Sequence, residues 1–436
     1  MSKHCKTNYT IMDSTLSHNR NQAPSLFLYI QRLFFSFHIK RVSFDYLFLQ
    51  LWQIAHLPLI RYQVILPSLI LLIFLNFGCL VIELISCFVF FFVWVEGEMA
   101  SLEIGSGSDY KVHVFSSSSE LLEKLHQKWS LVKKKPYPAM YSSIFGGIIL
   151  DPAMMVIPLD DHMVHRGHGV FDTAIILDGY LYELDAHLDR FLRSAAKARI
   201  SSPFPQSTLR SILVQLTAAS QCKKGTLRYW LTAGPGNFLL SPAGLPTSAF
   251  YAVVIDDDFS QRKEGVKVIT STTPMKSPLF ATMKNVNYLP NVLSVMEAED
   301  KGAFASIWVD EEGFIAEGPN VNVAFITNDK ELILPQFDKI LSGCTAKRLL
   351  ELAPKLVQQG CLKSVKTANL TVEEAKSAAE MMYVGSTLPI LPIIMWDEQP
   401  IGDGKVGDLT MALSDLLWHD MVAGPDTQRL SVPYIN

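Results

Sequence analysis

The chain has 436 residues, 49% of them hydrophobic and 18% charged, and a formal charge of −4. That length admits two ordinary domains and an extension, and the slightly acidic balance gives no reason to expect a nucleic-acid partner. The six cysteines, Cys5, Cys79, Cys87, Cys222, Cys344 and Cys361, contain no Cys-x-x-Cys pair and no zinc-spaced Cys/His cluster, which argues against a disulfide framework and a structural zinc site.

Residues 64–95 are almost continuously apolar, with Glu83 the only formal charge. A transmembrane helix needs ~20 such residues. Arg32, Lys40, Arg41 and Arg61 precede the run, and Glu83, Glu96 and Glu98 lie within or after it. An anchor there would leave the N-terminus in the cytosol. Met99 opens Met-Ala-Ser-Leu-Glu, so residues 1–98 also read as a dispensable upstream extension. A secretory signal or transit peptide fits poorly, because the former has a short apolar region and the latter lacks long apolar runs. Residues 99–135 read as a flexible lead-in with a helix-like stretch over 121–129.

Residues 136–258 read as a small α/β domain. A strand is expected over 140–150, ending at Asp151-Pro152. Apolar runs over 170–177 and 180–184 flank Asp178-Gly179, a hairpin signal. Residues 186–200 suit a helix with Leu188, Leu192 and Ala195 on one face and Arg190 off that stripe. A second helix over 208–219 and strands over 226–232 and 249–255 follow, with Gly234-Pro235-Gly236 as a loop. His162, His165 and His168, beside Asp160 and Asp161, read as locally hydrogen-bonded groups. No thiol joins them and their spacing matches no common zinc pattern.

The acidic run Asp256-Asp257-Asp258, continuing to Gly265, marks a boundary, with a larger domain over 265–424. Strands are expected over 266–271, 306–309, 314–316, 322–326, 381–384 and 390–395. Helices are expected over 289–301 and over 345–359, the latter stopped by Gly360. Thr371-Val-Glu-Glu374 is a capping box. Alternating strands and helices without internal repeats place the chain in the α/β or mixed α+β class.

Singly, the polar candidates are unremarkable: a lone lysine such as Lys284 is usually a solvated surface charge. Glu317 could serve a turn, Ser342-Gly343-Cys344-Thr345 a helix cap, Gly385-Ser386-Thr387 a strand end, and Arg190 a helix surface. Their order changes the odds. Lys284-Asn-Val-Asn-Tyr-Leu-Pro-Asn291 resembles the lysine motif of class IV pyridoxal-phosphate enzymes, a family that includes D-amino-acid transaminases, branched-chain aminotransferases and aminodeoxychorismate lyases. Glu317-Gly-Pro-Asn-Val-Asn-Val323 resembles its Glu-Gly…Asn segment. Ser342-Gly-Cys-Thr345 and Gly385-Ser386 resemble its two phosphate turns. His187-Leu-Asp-Arg190 with Ser194-Ala195 resembles its first-domain arginine helix, and Gly169-Val-Phe-Asp-Thr173 the strand lining its substrate pocket. Roughly three hundred residues share this order.

The resemblance implies a two-domain type IV fold and pyridoxal 5'-phosphate as cofactor, with no metal. It implies that Lys284 holds the cofactor and moves the substrate's α-proton, and that Glu317 keeps the ring nitrogen protonated. Cys344 and Thr345, opening a helix, would meet the phosphate with Arg190, Gly385 and Ser386. Phe171 and Arg228 would meet substrate. Thr173 would serve a lyase step, or be an ordinary β-branched strand residue. The substrates implied are amino acids and 2-oxo acids, and the assembly a homodimer.

Lys284-x-x-Asn287 is similar to the D-transaminase and lyase spacing rather than to the Lys-x-Gly-Gly-Asn-Tyr of branched-chain enzymes. The bacterial enzymes carry Thr/Ser-Arg-Gly where this chain has Thr232-Ala233-Gly234, so Arg228 is the substitute cation, or else a structural ion pair. The leading expectation is a D-amino-acid transaminase, similar to the plant group, with aminodeoxychorismate lyase activity. A branched-chain L-aminotransferase and a membrane-tethered, non-catalytic homologue are the alternatives. The expected compartment is the cytoplasm or a plastid, with a membrane involved only through residues 64–95.

Overall fold

The computed structural model describes residues 112–132 and 136–434. The apolar run 64–95 lies outside them. Among the described residues no helix is long and apolar enough to cross a membrane, and the strands form two sheets.

The first sheet has seven strands in the order Arg429–Ser431, Tyr180–Tyr182, Gly169–Leu177, Gly225–Thr232, Ala249–Asp256, Ala139–Ser142 and Gly147–Ile149. Every neighbouring pair is antiparallel. Asp178 and Gly179 both take positive φ, 50° and 82°, as a two-residue hairpin turn with the twist of its strands requires. The strand period of two then sorts the side chains. Val170, Ala174 and Ile176 join Leu227, Tyr229 and Leu231 in a core with Leu188, Phe191, Leu209, Leu213 and Leu216 of the helices Leu184–Lys197 and Gln206–Ser220. Burying each large apolar chain contributes about 1.5–3 kcal/mol. The alternate set, Phe171 and Thr173 with Arg228 opposite Thr173, lines a cleft instead.

The second sheet runs Ser364–Thr367, Glu331–Leu334, Asn322–Ile326, Glu380–Val384, Leu391–Trp396, Val266–Thr270 and Ala305–Ile307, with Gln399–Pro400 paired to Leu391–Trp396. Three of its pairs are parallel and the others antiparallel, so the chain is a mixed α/β fold. Leu349, Leu352, Leu413 and Leu417, from Cys344–Leu352 and Asp408–Ala423, pack on Ala324, Ile326, Leu332 and Leu334. Ile175 and Leu177 of the first sheet enter the same cluster.

Several elements differ from the sequence expectation. Residues 140–150 fold as a tight hairpin rather than one strand, turning at Gly146 with φ 70°. The expected helix 345–359 divides into Cys344–Leu352 and Pro354–Gln358, because Pro354 lacks an N–H and its ring crowds the carbonyl four residues back. Residues 314–316 make only isolated bridges, Phe314 with Thr371 and Ile315 with Val309. The strand Arg429–Ser431 carries the chain beyond residue 424 back to the first sheet.

Candidate active site

A cleft of about 500 Å3 is lined by all ten residues expected from sequence: Phe171, Thr173, Arg190, Arg228, Lys284, Glu317, Cys344, Thr345, Gly385 and Ser386. Phe171, Thr173 and Arg228 come from strands of the first sheet, Arg190, Cys344 and Thr345 from helices, and Lys284, Glu317, Gly385 and Ser386 from connecting loops.

Lys284 is held by its backbone. Its N–H donates to Ser194 Oγ at 3.0 Å, and its carbonyl accepts from the N–H of Phe171 at 2.9 Å. These bonds fix a chain segment that has no regular structure of its own. Nζ donates to Tyr288 Oη at 3.2 Å and lies 4.8 Å from the Phe171 ring centroid. Its reactive end therefore sits between two aromatic side chains that are themselves in edge-to-face contact at 5.1 Å.

Glu317 is buried, and both of its hydrogen bonds end on Oε2, from Asn322 Nδ2 at 3.4 Å and the Leu341 N–H at 3.3 Å. Oε1 accepts none from the described residues. Burial pushes the carboxyl up to about 8, while Lys276, then Lys284, pull it back toward ionisation. Such a group is poised to share a proton with a basic ring nitrogen.

The helix Cys344–Leu352 starts after Gly343 with no side-chain cap. Its first N–H groups have no intrahelical partner, and its dipole favours an anion. Thr345 Oγ1 and Ser386 Oγ lie 3.3 Å apart beside it. Arg190, expected off the apolar stripe of its helix, is buried. Nε reaches Asp172 Oδ2 at 2.9 Å and Nη2 reaches Oδ1 at 2.6 Å, while Nη1 has no protein partner among the described residues. An uncapped helix start, two hydroxyls and a fixed guanidinium suit a phosphate. With Lys284 and the underused Glu317 oxygen, the set fits pyridoxal 5'-phosphate.

Arg228 Nε donates to Thr173 Oγ1 at 3.2 Å, and its guanidinium carbon lies 5.8 Å from the Phe171 ring centroid. It has no carboxylate partner among the described residues, so the structural ion pair considered above is absent. Ala233 does not line the cleft. The histidine group beside it holds the neighbouring loop: His162 Nδ1 is 3.2 Å from His168 Nδ1, and His162 Nε2 is 3.2 Å from the Leu239 carbonyl.

Sequence reasoning gave no role to Asp172, His187, Asn322, Tyr288 or Lys276. Asp172 carried a usable signal, an acid in an apolar strand matched to an arginine on the following helix. His187 Nδ1 lies 2.8 Å from Asp172 Oδ1. Burial would lower His187, yet Cys344 and Asp172 push it up to about 10. Lys276 sits in a polar loop without a motif and could not have been found by pattern.

The family described as amino-transferase class IV matches residues 169–396. The D-amino-acid transaminase, chloroplastic, of Arabidopsis thaliana is 61% identical over 297 residues, covering 68% of this chain and 80% of that protein. A bifunctional aminodeoxychorismate lyase / D-amino acid transaminase of Mycobacterium tuberculosis is 30% identical over 223 residues, 48% of this chain and 76% of that one. Among solved structures, the T.th. branched-chain amino acid aminotransferase with pyridoxamine 5'-phosphate matches with a TM-score of 0.64 at 20% identity, covering 69% of this chain and 100% of that chain. That last likeness shows the fold. Family, fold and cofactor thus agree: the chain belongs to the class IV aminotransferases, enzymes that use pyridoxal 5'-phosphate to act on amino and oxo acids.

Proposed function

We propose that this aminotransferase acts on D-amino acids of the D-alanine type and also converts 4-amino-4-deoxychorismate to 4-aminobenzoate and pyruvate. The observation that carries the reading is the gathering of Lys284, Glu317, Arg190 and the two phosphate turns in one cleft, in a chain 61% identical to a protein described as a D-amino-acid transaminase. The lyase part is supported by the bifunctional relative and by Thr173 on the cleft wall.

When bound, pyridoxal 5'-phosphate supplies an electron sink for the bond broken at the substrate's α-carbon. Lys284 holds the cofactor and, once freed, its Nζ takes and returns the α-proton. Glu317 holds a proton on the ring nitrogen. The Cys344 and Thr345 N–H groups, Ser386 and Arg190 bind the phosphate, with Gly385 forming the second turn. Arg228 pairs with the substrate carboxylate. Phe171 forms an apolar wall, and in the lyase reaction the Thr173 hydroxyl delivers a proton to the departing pyruvate unit. The working assembly is a homodimer, and the chloroplastic relative supports a plastid location.

The test follows the visible band of the cofactor-loaded protein. D-Alanine should bleach it, and 2-oxo acid should restore it. A band left unchanged by D-alanine but bleached by L-leucine would replace this reading with a branched-chain L-aminotransferase. Lys284→Ala should fold, because the backbone bonds to Ser194 and Phe171 do not use the side chain, yet show neither the band nor turnover.

A further inference from the structure

His162, on the short helix His162–Arg166, and His168, just before the strand Gly169–Leu177, meet beside the loop 234–240. Backbone bonds fix the base of that loop. The His162 N–H donates to the Gly234 carbonyl at 3.0 Å, and the Ala233 N–H to the His168 carbonyl at 3.2 Å. Side chains fix its tip. Arg166 Nη2 donates to the Phe238 carbonyl at 2.8 Å, and the Phe238 ring lies against His165 with centroids 4.9 Å apart. His162 Nε2 is 3.2 Å from the Leu239 carbonyl, and His168 Nε2 is 2.8 Å from the Ala198 carbonyl at the end of the helix Leu184–Lys197.

A carbonyl oxygen only accepts, so both Nε2 atoms must carry hydrogen. A neutral imidazole has one N–H, which leaves both Nδ1 atoms as bare lone pairs. Yet the two Nδ1 atoms stand 3.2 Å apart. That contact is a hydrogen bond only if one extra proton lies between them. With none, lone pair faces lone pair, and one ring must give up its carbonyl to regain a donor. The Leu239 bond is the longer of the two and yields first. With two extra protons, N–H faces N–H. His165 takes no share, because both of its ring nitrogens are buried without a hydrogen-bond partner among the described residues. The Asp161 carboxylate is turned away to Thr232 and Tyr251, Lys197 to Thr282, and the loop 234–240 carries no titratable side chain.

We propose that His162 and His168 form a one-proton latch: a single shared proton holds the tip of the loop 234–240 at Leu239, and its loss as pH rises frees the tip. The proton belongs to the pair, not to either ring. Burial pushes His162 below its ordinary 6.5, opposed by the Leu239 carbonyl and reinforced by His168, His165 and Arg166. The latch is therefore engaged at mildly acidic pH and opens as pH rises. The glycines on either side of His168 join it to the active site. The Gly167 carbonyl accepts from Asn287 Nδ2 at 3.2 Å, and the Gly169 carbonyl from the Val286 N–H at 3.1 Å. The segment bearing His168 thus also holds the loop that presents Lys284.

Hydrogen–deuterium exchange of the cofactor-loaded full chain tests the latch, with the rates of the amides in 236–240 divided by their intrinsic rates at each pH. From about pH 6 to 8, within the range where histidine changes charge, protection in the parent should fall about tenfold, the low end of what one hydrogen bond to a charged group contributes. His162→Gln keeps a donor for the Leu239 carbonyl and cannot titrate, so its protection should not vary with pH. His168→Gln removes the shared proton and should also give a flat profile, and it serves alone should His162→Gln fail to fold. Parental protection that is flat, or that rises with pH, overturns the proposal. A fall that either variant reproduces also overturns it, because the titrating group would then lie elsewhere.

Discussion

Asp172 and Arg190 meet as a buried two-point pair, the strand carboxylate gripping the helix guanidinium at 2.9 and 2.6 Å while His187 approaches the same Oδ1 at 2.8 Å. Burial would raise the carboxyl, but Arg190 and His187 hold it well below the usual carboxylate range. The pair gives Arg190 one orientation in the cleft instead of many. Asp172→Asn should therefore cost about 3–5 kcal/mol, since it strands a buried guanidinium and imidazolium. Urea unfolding of the cofactor-free protein reads the stability, and cofactor titration should show weakened binding. A variant as stable as the parent would mean the cluster relaxes around water.

Glu317 predicts a pH dependence with a definite sign. Its folded value, about 8, stands above the ordinary 4.5. A raised carboxyl adds stability that is fully present below pH 4.5 and is lost as pH rises through about 8. In the cofactor-free protein, the difference in melting temperature between parent and Glu317→Gln should move against the parent across that window. Loading the cofactor should shrink the effect, because the ring nitrogen supplies a positive partner. A difference that stays constant across the window would show that Glu317 is solvated.

Gly343 is required by what stands beside it, not by its own backbone, whose φ of −64° suits any residue. A Cβ there would come within 2.1 Å of Asn322 Oδ1. Asn322 donates to the Leu341 carbonyl at 3.0 Å and to Glu317. Gly343→Ala should thus displace the amide, loosen Glu317 and shift the start of the helix Cys344–Leu352 together. Cofactor affinity is expected to drop at least tenfold, a loss of roughly 1.4 kcal/mol. Calorimetric titration with pyridoxal 5'-phosphate checks this, and unchanged affinity would show that the turn adapts.

The strands and helices around the site were legible where local chemistry dictates them. Asp178-Gly179 can only turn, and Thr371 with Glu374 forms the expected capping box. The resemblance of the segments around Lys284, Glu317, Thr345 and Ser386 to the class IV motifs implied one site, and the four line one cleft. Long-range charge compensation was not legible. Arg190 looks like a surface residue on a helical wheel because its partner, Asp172, is eighteen positions away on a strand. Lys276 lines the same cleft as Glu317, forty-one positions on, and no local pattern encodes that. The return of Arg429–Ser431 to the first sheet depends on pairing with Tyr180–Tyr182, a contact invisible to a three-residue window.

Arg228 carries the last prediction. Its guanidinium has no carboxylate partner among the described residues, is tied to Thr173 Oγ1, rests near Phe171 and lines the cleft. On the proposed reading, with no arginine in the Thr232-Ala233-Gly234 loop, Arg228 would be the cation that holds the substrate carboxylate. Arg228→Met keeps the length and apolar stem while removing the charge, so the strand pairing with Thr173 should survive. A charge-assisted hydrogen bond is worth about 1.5–3 kcal/mol, which corresponds to roughly 10- to 100-fold in kcat/KM. Most of that loss should appear in KM, because the carboxylate is held before and during reaction alike. Steady-state kinetics with D-alanine, alongside cofactor affinity as a control, decides the matter. A loss confined to kcat would place Arg228 with the reacting bonds rather than with the carboxylate, and no loss at all would overturn its role as the carboxylate's partner.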